Sequence, residues 1–228
     1  MVIGTGLVAR AFSTLDGDNG VNVFASGVSN SGELRASAFQ RELNLLEGWL
    51  GRPGRLIYFS TCSLFDPTQQ DSPYILHKKR LEEQVRLAHG DHLIIRLPNL
   101  VGRSNNPHTL INFMRDHILH GEPIDLYMGA CRYLLGVDEM VAEVLPLIKD
   151  PLLKERTLNV CPEDPVTLPR LITLMEGVLN RVAVVRPLDR GSCYKVDTEA
   201  YRAYRAGAGR PPLQVDVEAL LRKYVMAV

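Results

Sequence analysis

Tyr74 and Lys78 stand four residues apart, downstream of a run of small hydroxyl and thiol side chains at Ser60-Thr61-Cys62-Ser63. On a helix that spacing puts a phenol and an ammonium on one face, within reach of a hydroxyl at the end of the preceding strand. A phenol with an ordinary pKa of about 10 is a poor base at neutral pH unless a nearby cation favours the phenolate, and Lys78 is such a cation. At the start of the chain, Gly4-Thr5-Gly6-Leu7-Val8-Ala9 is a glycine turn between an apolar strand and a helix. A pyrophosphate can sit on the backbone N–H groups of such a turn. Each motif also has a plain structural explanation, a tight turn for the first glycines and a solvated helix face for the Tyr–Lys pair. Together they suggest redox chemistry on an alcohol.

The elements that must hold these residues alternate. Met1 to Ile3 reads as a short strand, Leu7 to Leu15 as the helix opened by the glycines, Val21 to Ala25 as a second strand, and the spacing from Leu34 to Leu50 is helical. Arg55 to Phe59 is a third strand running into the hydroxyl cluster. Ser72 can cap, and Pro73 can begin, a helix reaching about Ala88. His92 to Leu97 is an uninterrupted apolar run that suits a parallel strand covered on both faces. Further on, helices are expected at Thr109 to Leu119, Glu139 to Ile148, Leu168 to Leu179 and Val215 to Tyr224. Strands are expected at Ile124 to Met128, Tyr133 to Val137, Thr157 to Cys161 and Val182 to Val185. Right-handed crossovers then give an α/β, doubly wound, Rossmann-like parallel sheet, with the later pieces forming a small C-terminal lobe over its carboxyl edge. Residues 1–161 make the core, with 103–137 contributing to the substrate lobe, and 162–228 make the C-terminal lobe.

Composition narrows the function classes. The 228 residues are 46% hydrophobic, enough for a real core, and 26 basic residues balance 26 acidic ones. No net field recruits nucleic acid or an anionic membrane. The four cysteines, Cys62, Cys131, Cys161 and Cys193, are far apart without C-x-x-C spacing, which disfavours a metal site and suggests reduced thiols in the cytoplasm. Neither a leader segment nor a spanning apolar run is expected.

The order of motifs resembles the extended short-chain dehydrogenase/reductase family, the branch of nucleotide-sugar epimerases, dehydratases and ketoreductases. Ile57-Tyr58-Phe59-Ser60-Thr61-Cys62-Ser63 is similar to the family's strand ending in a catalytic hydroxyl, and Tyr74 with Lys78 matches its Y-x-x-x-K. Arg96-Leu97-Pro98-Asn99-Leu100-Val101-Gly102 and Arg132-Tyr133-Leu134-Leu135-Gly136-Val137-Asp138-Glu139 resemble its following substrate-contacting segments. The resemblance implies Thr61, Tyr74 and Lys78 as the catalytic set. Tyr74 moves the hydroxyl proton, Lys78 lowers the phenol's pKa and holds the nicotinamide ribose, and Thr61 bonds the reacting oxygen. It implies NAD or NADP held by Gly4, Thr5, Gly6, Leu7, Val8, Ala25, Ser26, Gly27, Lys78 and Pro98. The substrate is a nucleotide-linked sugar gripped by Asn99 and Arg132, in surface-polysaccharide biosynthesis. It also implies a homodimer through the helices at Leu34–Leu50 and Pro73–Ala88, with Leu43, Leu45, Leu46, Ile75 and Leu76 as surplus apolar residues.

Two departures from the family pattern matter. Asp16-Gly17-Asp18-Asn19-Gly20 leads directly to Val21–Gly27, which resembles the family's later, cofactor-lining strand, so the second and third strands are missing together with the wall for the adenosine. The alternative register makes Val21 to Ala25 the second strand, but that neighbourhood has Ser26 and no carboxylate for the ribose. The deletion predicts that the strand at Met1–Ile3 lies at one edge of the sheet, with Val21–Ala25 and then Arg55–Phe59 beside it, and that its bare edge is covered by a loop or a second subunit. The second departure is at Cys62 and Ser63, which stand where dehydratases carry an Asp-Glu pair. Epimerisation and keto reduction therefore stay open. Asp66 and Asp71 nearby read as exposed loop acids. A non-catalytic module that binds a sugar nucleotide or a protein is the competing class.

Overall fold

The computed structural model describes residues 1–88 and 90–225. They divide into two compact units. One comprises Met1–Leu64, Gln69–Leu97 and Val137–Val160, the other Phe65–Thr68, Pro98–Gly136 and Cys161–Val228.

The first unit is built on five strands: β1 (Val2–Ile3), β2 (Val21–Phe24), β3 (Arg55–Thr61), β4 (His92–Leu97) and β9 (Arg156–Asn159). They lie in the order β1-β2-β3-β4-β9, all parallel. The strand order is the one expected from the short interval after the glycines: among the described residues nothing pairs outside β1. The edge is blunted locally. Asp16 Oδ1 accepts from the Val2 N–H at 3.2 Å, so the turn that replaces the missing strands supplies the acceptor that a neighbour strand would have offered.

Helices cover both faces, which is why β3 is buried at every position. Side chains alternate along a strand. Leu56 and Tyr58 point to α2 (Ala36–Glu47) and α3 (Pro73–Ala88), where they pack with Leu43, Leu46, Leu81 and Val85. Phe59 points the other way and stacks on Phe12 at 5.4 Å between centroids, on the side where α1 (Leu7–Ala11) meets α5 (Val137–Lys149). α3 begins as its sequence suggests, with Ser72 Oγ accepting from the Ile75 N–H at 3.3 Å. α1 is shorter than expected: it ends after five residues and a 3-10 turn at Ser13–Leu15 follows.

The second unit carries three two-stranded sheets. They pair β5 (Asn99–Val101) with β8 (Leu134–Gly136), β6 (Ile124–Tyr127) with β11 (Val185–Leu188), and β7 (Cys131–Arg132) with β10 (Val166–Thr167). Helices α4 (Leu110–His120), α6 (Leu168–Leu179) and α8 (Val217–Val225) pack on one another. A further helix, α7 (Glu199–Gly207), was not foreseen; it follows a Cys-Tyr-Lys-Val stretch with no apolar run, and only Tyr201 and Arg205 of it are buried. β11 starts three residues later than the Val182–Val185 reading, because Val182 is exposed and pairing with Ile124–Tyr127 sets the register.

Two expectations are corrected. Cys131 and Cys193 form a disulfide with Cα atoms 4.8 Å apart, while Cys62 and Cys161 are free and buried. The two paired cysteines are 62 residues apart in the chain, and only the β6–β11 pairing, continued by Met128 N–H to Leu188 O and Gly129 N–H to Arg190 O, brings them together. Of the surplus apolar residues, Leu43, Leu46 and Ile75 are in the unit's own core and Leu45 is packed against it; Leu76 alone is half exposed. No helix of the described residues is long and apolar enough to cross a membrane.

Leu46→Ala, at a fully buried position under the sheet, should cost about 2–5 kcal/mol, read as a lower denaturant midpoint. Thiol titration of the unfolded, unreduced chain should find two reactive cysteines, against four after reduction.

Candidate functional site

The glycine turn is shaped by what lies beside it. Gly4 has φ +126°, and a Cβ there would meet the Ala25 carbonyl oxygen at 2.5 Å, so the chain leaving β1 passes directly against the loop after β2. Gly6 is the N-cap of α1 with extended backbone, and a Cβ on it would meet open space. Thr5 and Gly6 are exposed and Leu7 and Val8 half-buried. With only five residues, α1 aligns few peptide dipoles, so an anion here relies on backbone N–H groups rather than on a long helix. The turn is braced by Arg10 Nη1 donating to Thr5 O at 3.0 Å. Arg41 donates to Ser26 Oγ and O, both at 3.3 Å, and so holds the Ala25-Ser26-Gly27 loop.

β3 delivers Thr61 and α3 delivers Tyr74 and Lys78, all three buried. The i, i+4 pair is therefore not a solvated helix face. Thr61 Oγ1 accepts from the Ser63 N–H at 3.0 Å, and Thr61 is near enough to Tyr74 to help lower its pKa. Lys78 Nζ lies 5.8 Å from the Tyr74 ring centroid and 5.7 Å from that of Tyr58.

The sequence reading missed the group that organises this cluster. Glu42 of α2 has no solvent exposure. Its carboxylate accepts from Lys78 Nζ at 2.7 Å, the Val28 N–H at 2.7 Å and the Tyr58 hydroxyl at 3.3 Å, and lies 3.1 Å from His77 Nε2. Burial alone would raise its pKa; the Lys78 charge and the hydrogen bonds from His77, Lys78 and Val28 more than reverse that and hold it at about 2. A Cβ on Gly27 would meet Lys78 Nζ at 2.8 Å and Glu42 Oε1 at 3.0 Å, so that glycine leaves room for the ion pair. The signal was present in the sequence: Glu42 sits on the same helical stripe as Leu43 and Leu46, where a charge is out of place unless partnered.

The phenol's pKa is corrected too. Burial raises Tyr74; Lys78 and the Thr61 hydrogen bond lower it, Glu42 and Cys62 raise it, and the balance is upward. The lowering expected from Lys78 is present but outweighed, in part because Glu42 neutralises the ammonium. At neutral pH Tyr74 is a phenol, a proton donor.

The second unit holds Pro98, Asn99 and Arg132. Pro98 is half-buried. Asn99 is fixed to Tyr133 O through its backbone N–H at 3.1 Å and its Nδ2 at 3.3 Å. Arg132 is half-buried, donates to Cys131 O at 2.7 Å and lies 3.8 Å from Asp66 Oδ2. Asp66 is not the exposed loop acid expected of it: it is buried and accepts from the Thr68 N–H at 2.9 Å and Thr68 Oγ1 at 2.6 Å. Asp71 is exposed. Among the described residues no group of three or more His, Cys, Asp or Glu side chains could hold a metal ion.

The fold is that of NAD-dependent nucleotide-sugar epimerases and dehydratases. The UDP-glucose 4-epimerase of Thermus thermophilus, solved with NAD, superposes with a TM-score of 0.72 at 16% identity over 98% of this chain and 84% of its own. A dTDP-glucose 4,6-dehydratase double mutant from Streptomyces venezuelae, solved with NAD bound, gives 0.73 at 17% over 98% and 78%. The UDP-N-acetylglucosamine 4-epimerase of Methanobrevibacter ruminantium, in complex with UDP-N-acetylmuramic acid, gives 0.68 at 18% over 99% and 82%. No protein-family model matches the chain, and no curated protein does.

The depressed Glu42 pKa has a definite sign. Stability from this carboxylate is present above its unfolded value of 4.5 and is lost as pH falls from there through about 2. The acid limb of unfolding should be less steep in Glu42→Gln across that window, as followed by circular dichroism.

Proposed function

We propose that this chain is an oxidoreductase of the extended short-chain dehydrogenase/reductase type that uses NAD or NADP on a nucleotide-linked sugar, as a ketoreductase or an epimerase. The observation that carries the reading is the buried cluster of Thr61, Tyr74 and Lys78, with the Lys78 ammonium 5.8 Å from the Tyr74 ring, on a fold shared with enzymes of that chemistry.

The residues present fit the nicotinamide and pyrophosphate portions of a dinucleotide. The space over Gly6 and the Ala25-Ser26-Gly27 loop against Gly4 suit the pyrophosphate, and Lys78 would hold the nicotinamide ribose. The adenosine portion has no strand beyond β1 to lie on, so affinity rests on the other half. When bound, the dinucleotide supplies or accepts a hydride. Thr61 holds a substrate carbonyl oxygen and Tyr74, kept neutral, donates the proton to it, which favours the reductive direction. Cys62 and Ser63 offer no carboxylic acid for a leaving hydroxyl, so dehydration is outside this chemistry. Asn99 and Arg132 grip the nucleotide diphosphate. Synthesis of surface polysaccharide in the cytoplasm is the setting that the resemblance favours, and Leu76, with the outer faces of α2 and α3, is the surface for pairing two copies about a two-fold axis.

The second reading, a non-catalytic binding module, draws on the Lys78–Glu42 ion pair, which occupies the ammonium that the ribose would use. Tyr74→Phe decides between them. In the enzyme it lowers turnover of a nucleotide 4-ketosugar by about 10²- to 10⁴-fold while leaving folding and dinucleotide binding near wild type, and Lys78→Ala lowers both turnover and binding. If calorimetry finds no NAD or NADP binding at millimolar concentration and Tyr74→Phe changes nothing measurable, the module is the correct account. Light scattering that gives a monomer mass at micromolar concentration would remove the dimer.

A further inference from the structure

A buried ion pair is close to neutral at a distance, and whatever lies beside it sees little of either charge. Here the pair is formed across two helices and a loop. Glu42 comes from α2, Lys78 and His77 from α3, and the Val28 N–H from the loop after β2, while Tyr58 of β3 closes the carboxylate from below. The titratable and polar groups that act on Tyr74 include Thr61 and Cys62 at the end of β3, Tyr58 further back on β3, Lys78 on its own helix and Glu42 on α2, with His77 on the far side of the Glu42 carboxylate. Of these, Lys78 is the cation that lowers the Tyr74 pKa. From these contacts we infer that Glu42 is a positioning residue of the site: by binding the Lys78 ammonium and anchoring it to the Val28 loop, it withdraws that charge from Tyr74 and keeps the phenol as a proton donor.

The geometry leaves Lys78 little freedom. Its Nζ has 2.7 Å contact with a carboxylate that is itself fixed by three further donors, and the Gly27 backbone closes over both groups. Removing the negative charge alone would leave an unneutralised ammonium 5.8 Å from the Tyr74 ring, the arrangement that favours a phenolate. With Gln at position 42 the same scaffold would therefore release the Tyr74 proton at lower pH than with Glu. Glu42 thus sets how readily Tyr74 gives up its proton, an inference that rests on the oxidoreductase reading for its functional meaning but on the ion pair for its physics.

The test is an ultraviolet titration of tyrosinate formation, taken as the difference between each protein and the same protein carrying Tyr74→Phe, together with the pH profile of keto reduction. Glu42→Gln should move the Tyr74 titration, and the alkaline limb of kcat, to lower pH by about one unit or more, a tenfold or greater rise in phenolate at a given pH. The double variant Glu42→Gln/Lys78→Met, which replaces the ion pair by neutral side chains of similar size and is the easier to fold, should titrate close to wild type. A Glu42→Gln titration that coincides with wild type overturns the inference. So does a double variant displaced downward as far as the single one; if Glu42→Gln does not fold, a double variant displaced downward from wild type by about one unit or more overturns the inference, and one that titrates with wild type supports it. A purely structural Glu42 would lower thermal stability without moving either titration. Absent turnover in the wild type, with the titration shift intact, overturns the oxidoreductase reading and leaves the control of Tyr74 by Glu42 standing.

Discussion

A carboxylate sealed from water is unstable unless its lone pairs are met by donors and its charge by a cation. Glu42 meets both conditions with groups from every element around it: the loop after β2, the middle of β3, and two adjacent residues of α3. The consequence is mutual. The partners fix the carboxylate, and the carboxylate fixes where α3 sits against the sheet, which is also what fixes Tyr74 beside Thr61. Breaking such a pair by removing one member typically costs about 3–5 kcal/mol because the other is left uncompensated, so the position of the phenol and the stability of the unit are not independent properties of this chain.

A second polar anchor ties the same helix to the sheet from further along. Glu82 of α3 takes Arg96 of β4 in a two-pronged pair at 2.8 and 2.6 Å and Arg86 at 2.6 Å. Burial would raise the Glu82 pKa, and the Arg96 hydrogen bonds lead the interactions that bring it down instead. Paired guanidinium and carboxylate forks resist rotation as well as separation. α3 is thus held at its start through Lys78 and in its second half through Glu82, and Leu81 between them is buried in the core under β3.

The shortened sheet places its constraint elsewhere. With β1 at the edge, the turn at residues 16–20 does the work of two strands: Asp16 satisfies the Val2 N–H, Gly20 O receives the Arg55 N–H, and a Cβ at Gly54 would strike the Gly20 carbonyl at 2.9 Å. The Gly20 contacts register β2 on β3, while β1 is held on β2 by the Val23 N–H to Met1 O and Ala25 N–H to Ile3 O bonds. In the second unit the disulfide has a similar role. It fixes the chain beyond β11 to Cys131, next to Arg132, whose guanidinium is steered by the Cys131 carbonyl and by buried Asp66.

Much of this was legible in the order of residue types. Apolar runs bounded by glycine and hydroxyl residues located the five parallel strands and the helices between them, because period and length are local properties; the brevity of the interval after Gly6 was enough to place β1 at an edge, since a chain of that length cannot make two more strands and a helix. The Tyr74–Lys78 spacing and its position after a strand end likewise follow from helix geometry alone. What the sequence could not decide was partnership across distance. The Cys131–Cys193 bond depends on a parallel pairing between segments about sixty residues apart, and the burial of Asp66 depends on Thr68 and Arg132 arriving at the same place. Leu43, Leu45 and Leu46, which looked like a surplus for dimerisation, were used by the unit's own core, and only Leu76 stayed exposed. Most of all, whether Lys78 acts on Tyr74 as a free cation or as half of a neutral pair depends on Glu42, 36 residues earlier. Helical period could put that glutamate on a buried stripe, but only the packing of α2 against α3 shows which charge it meets.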